Sequence, residues 1–184
     1  MSAINTNNTT INVNIRKLHA DAVIPRYATE GAAAFDLVSV ADVIIAPGDT
    51  ALVPIGLAFE IPIGYEMQIR PRSGITKNTK LRVGNAPATI DSDYRGEVSV
   101  IIDNIAQKEY EYARGYFTID GVFTAWDIGT SYPIGTYLIR KGDRIAQALI
   151  QRIPHVEFTQ VDALSETERG DGGFGHSGVK SGGG

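Results

Sequence analysis

Short apolar stretches recur along the chain at 11–18, 35–40, 43–45, 50–53, 57–61 and 65–70, separated by Pro47-Gly48, Pro54, Pro62 and Gly64. Short runs between regular turn signals suit a barrel or sandwich of many strands. The same pattern resumes at 81–83, 88–90, 96–103 and 143–153. Only 73–78 reads as a helical turn, with Ser73 as its expected cap. Residues 1–10 are mostly Asn and Thr, have little to bury, and read as a disordered lead. The ordered domain is expected over 11–164, and 165–184 as a Gly-rich flexible end.

The segment 105–140 breaks this rhythm, since a hairpin connection is ordinarily ~2 to 5 residues. It holds eight of the chain's 15 aromatic residues, and its runs 117–119 and 122–126 alternate around Asp120-Gly121, a strong hairpin signal. Two readings stay open for it: an enlarged hairpin packed on the barrel, or an aromatic surface that binds a protein partner.

Composition agrees with strands. The chain has 22 Ile and 13 Val against 8 Leu, and β-branched side chains fit a pleated surface better than a helix. A net charge of -4 argues against coating a nucleic acid or an anionic membrane, so neither is expected as a partner. No cysteine is present, which excludes disulfides, a thiolate nucleophile and a Cys-based zinc site. The start of the chain lacks signal-peptide features and no apolar run approaches the ~20 residues of a membrane span, so a cytoplasmic location is expected. The three histidines, His19, His155 and His176, are scattered and form no metal motif. The G-x-G-x-x-G match at Gly173 to Gly178 has no strand before it and only six residues after it, so it is no dinucleotide fingerprint.

Phosphate chemistry remains. From Met67 to Ile90 there is no acidic residue, while Arg70, Arg72, Lys77, Lys80 and Arg82 are basic, which suits an anionic ligand. Pro71-Arg72-Ser73-Gly74 opens the helical turn, where a hydroxyl and backbone N–H groups can converge on phosphate oxygens. The stretch Gly84-Asn85 through Ile90-Asp91 reads as two short strands folded back on each other. Main-chain groups of such a hairpin, with the donor and acceptor of Asn85, match the N3–H and O4 edge of uracil or thymine. Tyr94 could stack on a sugar while Asp91 faces the reacting centre.

At this point the chain resembles a homotrimeric dUTP pyrophosphatase, with five motifs of that family in order. They are Ala33-Ala34-Phe35-Asp36-Leu37, Pro71-Arg72-Ser73-Gly74, and Gly84-Asn85 with Ile90-Asp91-Ser92-Asp93-Tyr94-Arg95-Gly96, then Gly142-Asp143-Arg144-Ile145-Ala146-Gln147, and finally Arg169-Gly170-Asp171-Gly172-Gly173-Phe174-Gly175-His176-Ser177-Gly178. The similarity runs from about Ile11 to Val179, apart from an enlarged insertion between motifs three and four. The resemblance implies an all-β jelly-roll-like barrel in a homotrimer with shared active sites. It implies Mg2+-dependent hydrolysis of dUTP to dUMP and pyrophosphate, which limits uracil incorporation into DNA and supplies dUMP for dTMP synthesis. Asn85 and main-chain groups at Thr89, Ile90 and Ser99 would read uracil, and Tyr94 would pack on the deoxyribose. Asp91 would hold the 3′-OH and orient the attacking water. Arg72, Ser73 and Gly74 would hold α- and β-phosphate oxygens, with Asp36 and Gln147 reaching Mg2+ largely through water. Arg169 and Ser177 would bind the γ-phosphate, and Phe174 with Gly175 would close over the base as part of a lid. Two alternatives stay open: a dCTP deaminase of the same superfamily, and a regulatory trimer that binds a protein through 105–140.

Overall fold

The computed structural model describes residues 10–108, 111–125 and 129–173. The chain divides into two compact units, Met1–Pro154 and His155–Gly184. Among the described residues the first carries every regular element: β1 (Asn14–Lys17), β2 (Phe35–Val38), β3 (Val43–Ile45), β4 (Thr50–Pro54), β5 (Leu57–Glu60), β6 (Tyr65–Arg70), α1 (Ser73–Asn78), β7 (Leu81–Val83), β8 (Ala88–Ile90), β9 (Ser99–Asn104), β10 (Tyr112–Ala113), β11 (Gly115–Phe117), β12 (Phe123–Ala125), β13 (Tyr132–Pro133), β14 (Tyr137–Ile139) and β15 (Arg144–Arg152). The strand stretches read from the sequence are all present. In the second unit the described residues are mostly irregular, with a turn at Thr167 to Gly172, where Arg169 Nε donates to the Gly172 carbonyl at 2.8 Å.

Three sheets build the jelly-roll-like core: β2-β15-β6-β8, β4-β9-β7 and β12-β11-β14-β3. Period-two alternation decides which side chains turn inward. In β2 Phe35 and Leu37 are buried while Asp36 and Val38 are not; in β9 Val100, Ile102 and Asn104 are buried. Met67 and Ile69 of β6 and Ala146 and Ala148 of β15 complete the wall beneath the outward row that includes Asp36. A fully buried side chain of this size stabilises the fold by about 1.5–3 kcal/mol. In β2 and β9 alternate residues are committed to the core, so the polar residues between them, Asp36 among them, face outward.

Register then does what sequence alone could not. Asp36 lies opposite Gln147, and Gln147 lies opposite Arg70, so one row of the sheet brings together residues from motifs one and four and the residue preceding motif two. The register of β15 against β2 shifts between Arg144 and Ala146. That bulge lets Ile145 and Ala146 both face inward while Arg144 stays exposed.

Three sequence expectations are corrected. Ser73 does not cap α1: the cap is Arg72 in extended conformation, without a side-chain cap bond, and Ser73 is the first helical residue. The stretch 84–90 is not a ladder-paired hairpin, because β7 pairs with β9 and β8 pairs with β6, so it forms a corner between two sheets. The hairpin of the inserted segment exists, with Phe117 opposite Phe123, but Asp120-Gly121 is not a two-residue turn. Thr118 N–H donates to the Val122 carbonyl at 2.9 Å and Gly121 N–H to the Thr118 carbonyl at 2.9 Å, closing a three-residue loop with Gly121 at φ +84°.

The segment 105–140 is partly barrel. Its β14 pairs with β3, and Tyr116 and Tyr137 are buried, so much of its aromatic content is packing. Phe117 lies edge-on to Phe123 with ring centroids 5.3 Å apart, whereas Tyr112, Val122 and Phe123 are exposed. Trp126 and Tyr110 lie outside the described residues.

Candidate active site

Motifs one, two and four converge on one cleft of about 540 Å³ whose lining includes Asp36, Arg72, Ser73, Gly74, Arg144 and Gln147. Strand β2 delivers Asp36 to its outward face, the turn into α1 delivers Arg72 to Gly74, and the bulged start of β15 delivers Arg144 and Gln147. The Asp36 carboxylate stands 2.8 Å from Arg72 Nε and 3.2 Å from Arg144 Nη1. Arg72 Nη1 also donates to the Arg144 carbonyl at 3.1 Å, and Gln147 Nε2 donates to the Pro71 carbonyl at 2.9 Å. Arg70, also in the lining, is oriented by Gln68, whose side-chain Oε1 accepts from Arg70 Nη2 at 2.8 Å.

Two guanidiniums on one carboxylate, with Arg70 in the same lining, leave an excess of positive charge at the cleft. Planar forks pinned in this way can bond phosphate oxygens bidentately. Arg144 carries no expected role from the sequence. Its one available signal was its place in motif four, and its contact with Asp36 depends on a register spanning more than a hundred residues.

Residues of motif three form a second group at the corner and the loop that follows. Asn85 and Thr89 are exposed, and Ile90 is half-buried on β8. Gly84 precedes Asn85 where a β-carbon would meet Asp103 Oδ2 at 2.6 Å, so a larger residue here would have to displace the Asp103 carboxylate. Asp91 is exposed, and its carbonyl accepts from Tyr94 N–H at 3.2 Å. Tyr94 Oη donates to the Glu97 carbonyl at 3.0 Å, which lays the ring over Gly96. Asn85, Asp91 and Tyr94 do not line the cleft that holds Arg72. Ser99 stands on β9, in a different sheet from Thr89 and Ile90. Arg169 belongs to the second unit, and Phe174, Gly175 and Ser177 lie outside the described residues.

Next to the cleft, burial pushes the Asp143 carboxyl above its ordinary value, partly offset by the Arg140 N–H that it accepts at 2.8 Å. Among the described residues no group of three or more His, Asp or Glu could hold a metal ion. No helix among them is long and apolar enough to cross a membrane.

Fold and cleft together define a nearly all-β protein with an arginine-lined cleft whose charge suits an anionic ligand. Comparison with known proteins narrows this class. The dUTPase family model matches residues 20–117 and 111–178, its two parts meeting inside the inserted segment. A deoxyuridine 5'-triphosphate nucleotidohydrolase of Nautilia profundicola is 44% identical over 166 residues, covering 90% of this chain and 98% of that protein. One of Helicobacter pylori strain J99 is 38% identical over 167 residues, covering 91% and 97%. Among solved structures, the dUTPase of Staphylococcus bacteriophage 80alpha with dUpNHpp superposes with TM-score 0.87 at 31% identity, over 92% of this chain and 100% of that one. A dUTPase from phage phi11 of S. aureus, described for its species-specific insert, superposes with TM-score 0.78 at 28% identity, over 85% and 100%. The chain belongs to the dUTPase family.

Proposed function

We propose that the chain hydrolyses dUTP to dUMP and pyrophosphate, with water attacking the α-phosphorus, and so limits uracil in DNA while supplying dUMP for dTMP synthesis. The observation that carries this reading is the cleft in which Asp36 pins Arg72 beside Ser73 and Gly74, in a chain of the dUTPase family. Arg72, Ser73 and Gly74 hold α- and β-phosphate oxygens. Because Arg72 is oriented before the ligand arrives, it needs no reordering as charge builds on the leaving group.

Asn85 and the main chain of Thr89 and Ile90 bond the uracil edge, with Ser99 as a further contact. A base lacking the matching donor and acceptor leaves those groups unpaired, which discriminates strongly. Tyr94 packs on the deoxyribose and leaves no room for a 2′-OH. Asp91 accepts from the 3′-OH and orients the water, a task of positioning more than of acidity.

The donor set fits Mg2+ carried mainly by the triphosphate. The Asp36 carboxylate is already shared by two guanidiniums, and Gln147 spends an amide N–H on Pro71, so each suits a metal-bound water better than direct ligation. When bound, Mg2+ supplies charge neutralisation on the departing pyrophosphate. A dUTPase from phage phi11 is described as coordinating a structural Mg(II) ion.

A homotrimer completes the site, with motif three from one subunit, motifs one, two and four from a second, and the tail from the third. The separation of Asp91 and Tyr94 from the Arg72 cleft within one chain supports that division. The domain covers 11–164 and carries the insertion 105–140. The tail 165–184 acts as a lid, with Arg169 and Ser177 on the γ-phosphate and Phe174 and Gly175 over the base. Incubation with Mg2+ and dUTP, dCTP, UTP or dTTP in parallel tests the proposal. Pyrophosphate is expected from dUTP alone; ammonia from dCTP would replace this reading with a deaminase.

A further inference from the structure

The loop of the inserted hairpin lies against the helix that carries motif two. Ile119 is partly buried against the core and shares a narrow apolar recess with Pro71, Arg72, Ile75 and Ile145. Two residues on, Gly121 at φ +84° comes so close to the last residue of α1 that a β-carbon there would stand 2.5 Å from the Asn78 carbonyl oxygen. A third tie follows the helix, where Lys80 N–H donates to Tyr137 Oη of β14 at 3.0 Å.

The helix needs such support. It has six residues, no side-chain cap bond and no acidic residue in its first turn. Isolated helices of under ~12 residues are not stable in water, so α1 takes its place from what it packs on. Its inner side chain, Ile75, lines this recess together with Ile119. Arg72 thus lies between two supports: Asp36 holds its guanidinium, and the residue itself lines the recess that Ile75 and Ile119 share.

We propose that Ile119 and Gly121 of the insertion form a wedge that positions α1 and, through it, the phosphate donors Arg72, Ser73 and Gly74. Ile119 is a positioning residue: it acts on the ligand only through the helix. The inference rests on the phosphate-binding reading of residues 72–74. It gives the insertion a role in turnover that is separate from any partner at its exposed face.

Ile119→Ala tests it against Ile119→Val, with Gly121→Ala as a second variant should the first not fold. A misplacement of about 1 Å can cost a hundredfold, and partial relaxation should cost about tenfold. The expected pattern in Ile119→Ala is a tenfold loss of kcat/KM for dUTP and weaker inhibition by dUpNHpp, with inhibition by deoxyuridine unchanged within twofold. The Thr76 and Thr79 amides, which donate to the carbonyls of Arg72 and Ile75, should exchange hydrogen faster while those of β6 and β15 do not change. Ile119→Val should stay within twofold of wild type in every readout. Equal losses for dUpNHpp and deoxyuridine would mean general destabilisation and overturn the wedge, as would an unchanged kcat/KM. If the wild type failed to hydrolyse dUTP, the phosphate reading would fall, and unaltered exchange at Thr76 and Thr79 would independently remove the wedge.

Discussion

Replacing Arg72 by alanine probes the cleft most directly. Arg72 Nε contacts Asp36 at 2.8 Å and Nη1 donates to the Arg144 carbonyl at 3.1 Å, so the guanidinium plane is fixed by two bonds that involve no ligand. Removal of one such preorganised donor costs about 3 kcal/mol of barrier, a few hundredfold in kcat. Stability should respond far less. Both side chains of the pair retain about a quarter of their exposure, and Asp36 keeps Arg144 at 3.2 Å, so the fold should lose about 1 kcal/mol or less. Arg72→Lys restores the charge but not the fork that satisfies Asp36 and the Arg144 carbonyl together, and should recover only part of the activity. Steady-state proton release with saturating Mg2+ and dUTP, beside urea denaturation of each variant, separates the two effects. An Arg72→Ala enzyme within threefold of wild type in kcat would refute the assignment of Arg72 to phosphate.

Two further predictions concern the framework. Asn104, 1% exposed, donates through Nδ2 to the carbonyls of Ile45 at 3.0 Å and Gly135 at 2.9 Å and accepts from Ala106 N–H at 3.1 Å. Asn104→Ala leaves those backbone groups without their partner and should cost about 3 kcal/mol in urea denaturation, and a loss under about 1 kcal/mol would contradict the account. Asp143 is held above its ordinary value of 3.8 by burial, so its folded form binds protons more readily than its unfolded form. Its contribution to stability therefore falls as pH rises from about that value through the raised one. Asp21 and Asp120 are shifted downward by their hydrogen bonds with Lys141 and Thr118, and their contribution instead falls as pH drops through their lowered values. Asp143→Asn, whose carbonyl oxygen can still accept from Arg140, should leave neutral-pH stability equal or higher and remove the Asp143 component of the pH profile; a clear loss at neutral pH would reverse the sign argued here.

Strand positions were legible because each depends on a local pattern. Alternation in Phe35 to Val38 is enough to say that Asp36 turns away from the core. What Asp36 meets there was not legible, because Arg144 comes from a strand 108 positions on and its aim depends on a bulge. The cap of α1 misled for the opposite reason: a serine before a helical turn is a common signal, and here the extended residue is Arg72, one position earlier. Tyr137 to Ile139 was absorbed into the insertion because a strand buried at all three positions shows no alternation. Its pairing with β3 makes it part of the barrel.

The basic run from Arg70 to Arg82 suits an anion by its charge, but its members do not all face one place. Arg82 spends Nη1 on the carbonyls of Thr79 and Leu81 at 3.0 and 2.7 Å, at the exit of α1 and away from the cleft lining. Arg70 and Arg72 do reach the cleft, where Arg144, from outside the run, joins them. Three guanidiniums converging without a counter-charge would repel one another and splay into solvent. Asp36 prevents this by binding two of them at 2.8 and 3.2 Å, and the remaining excess positive charge still favours a polyanion. The carboxylate in an anion site is therefore a structural requirement of that site: it holds the donors in the geometry a phosphate needs before any phosphate is present.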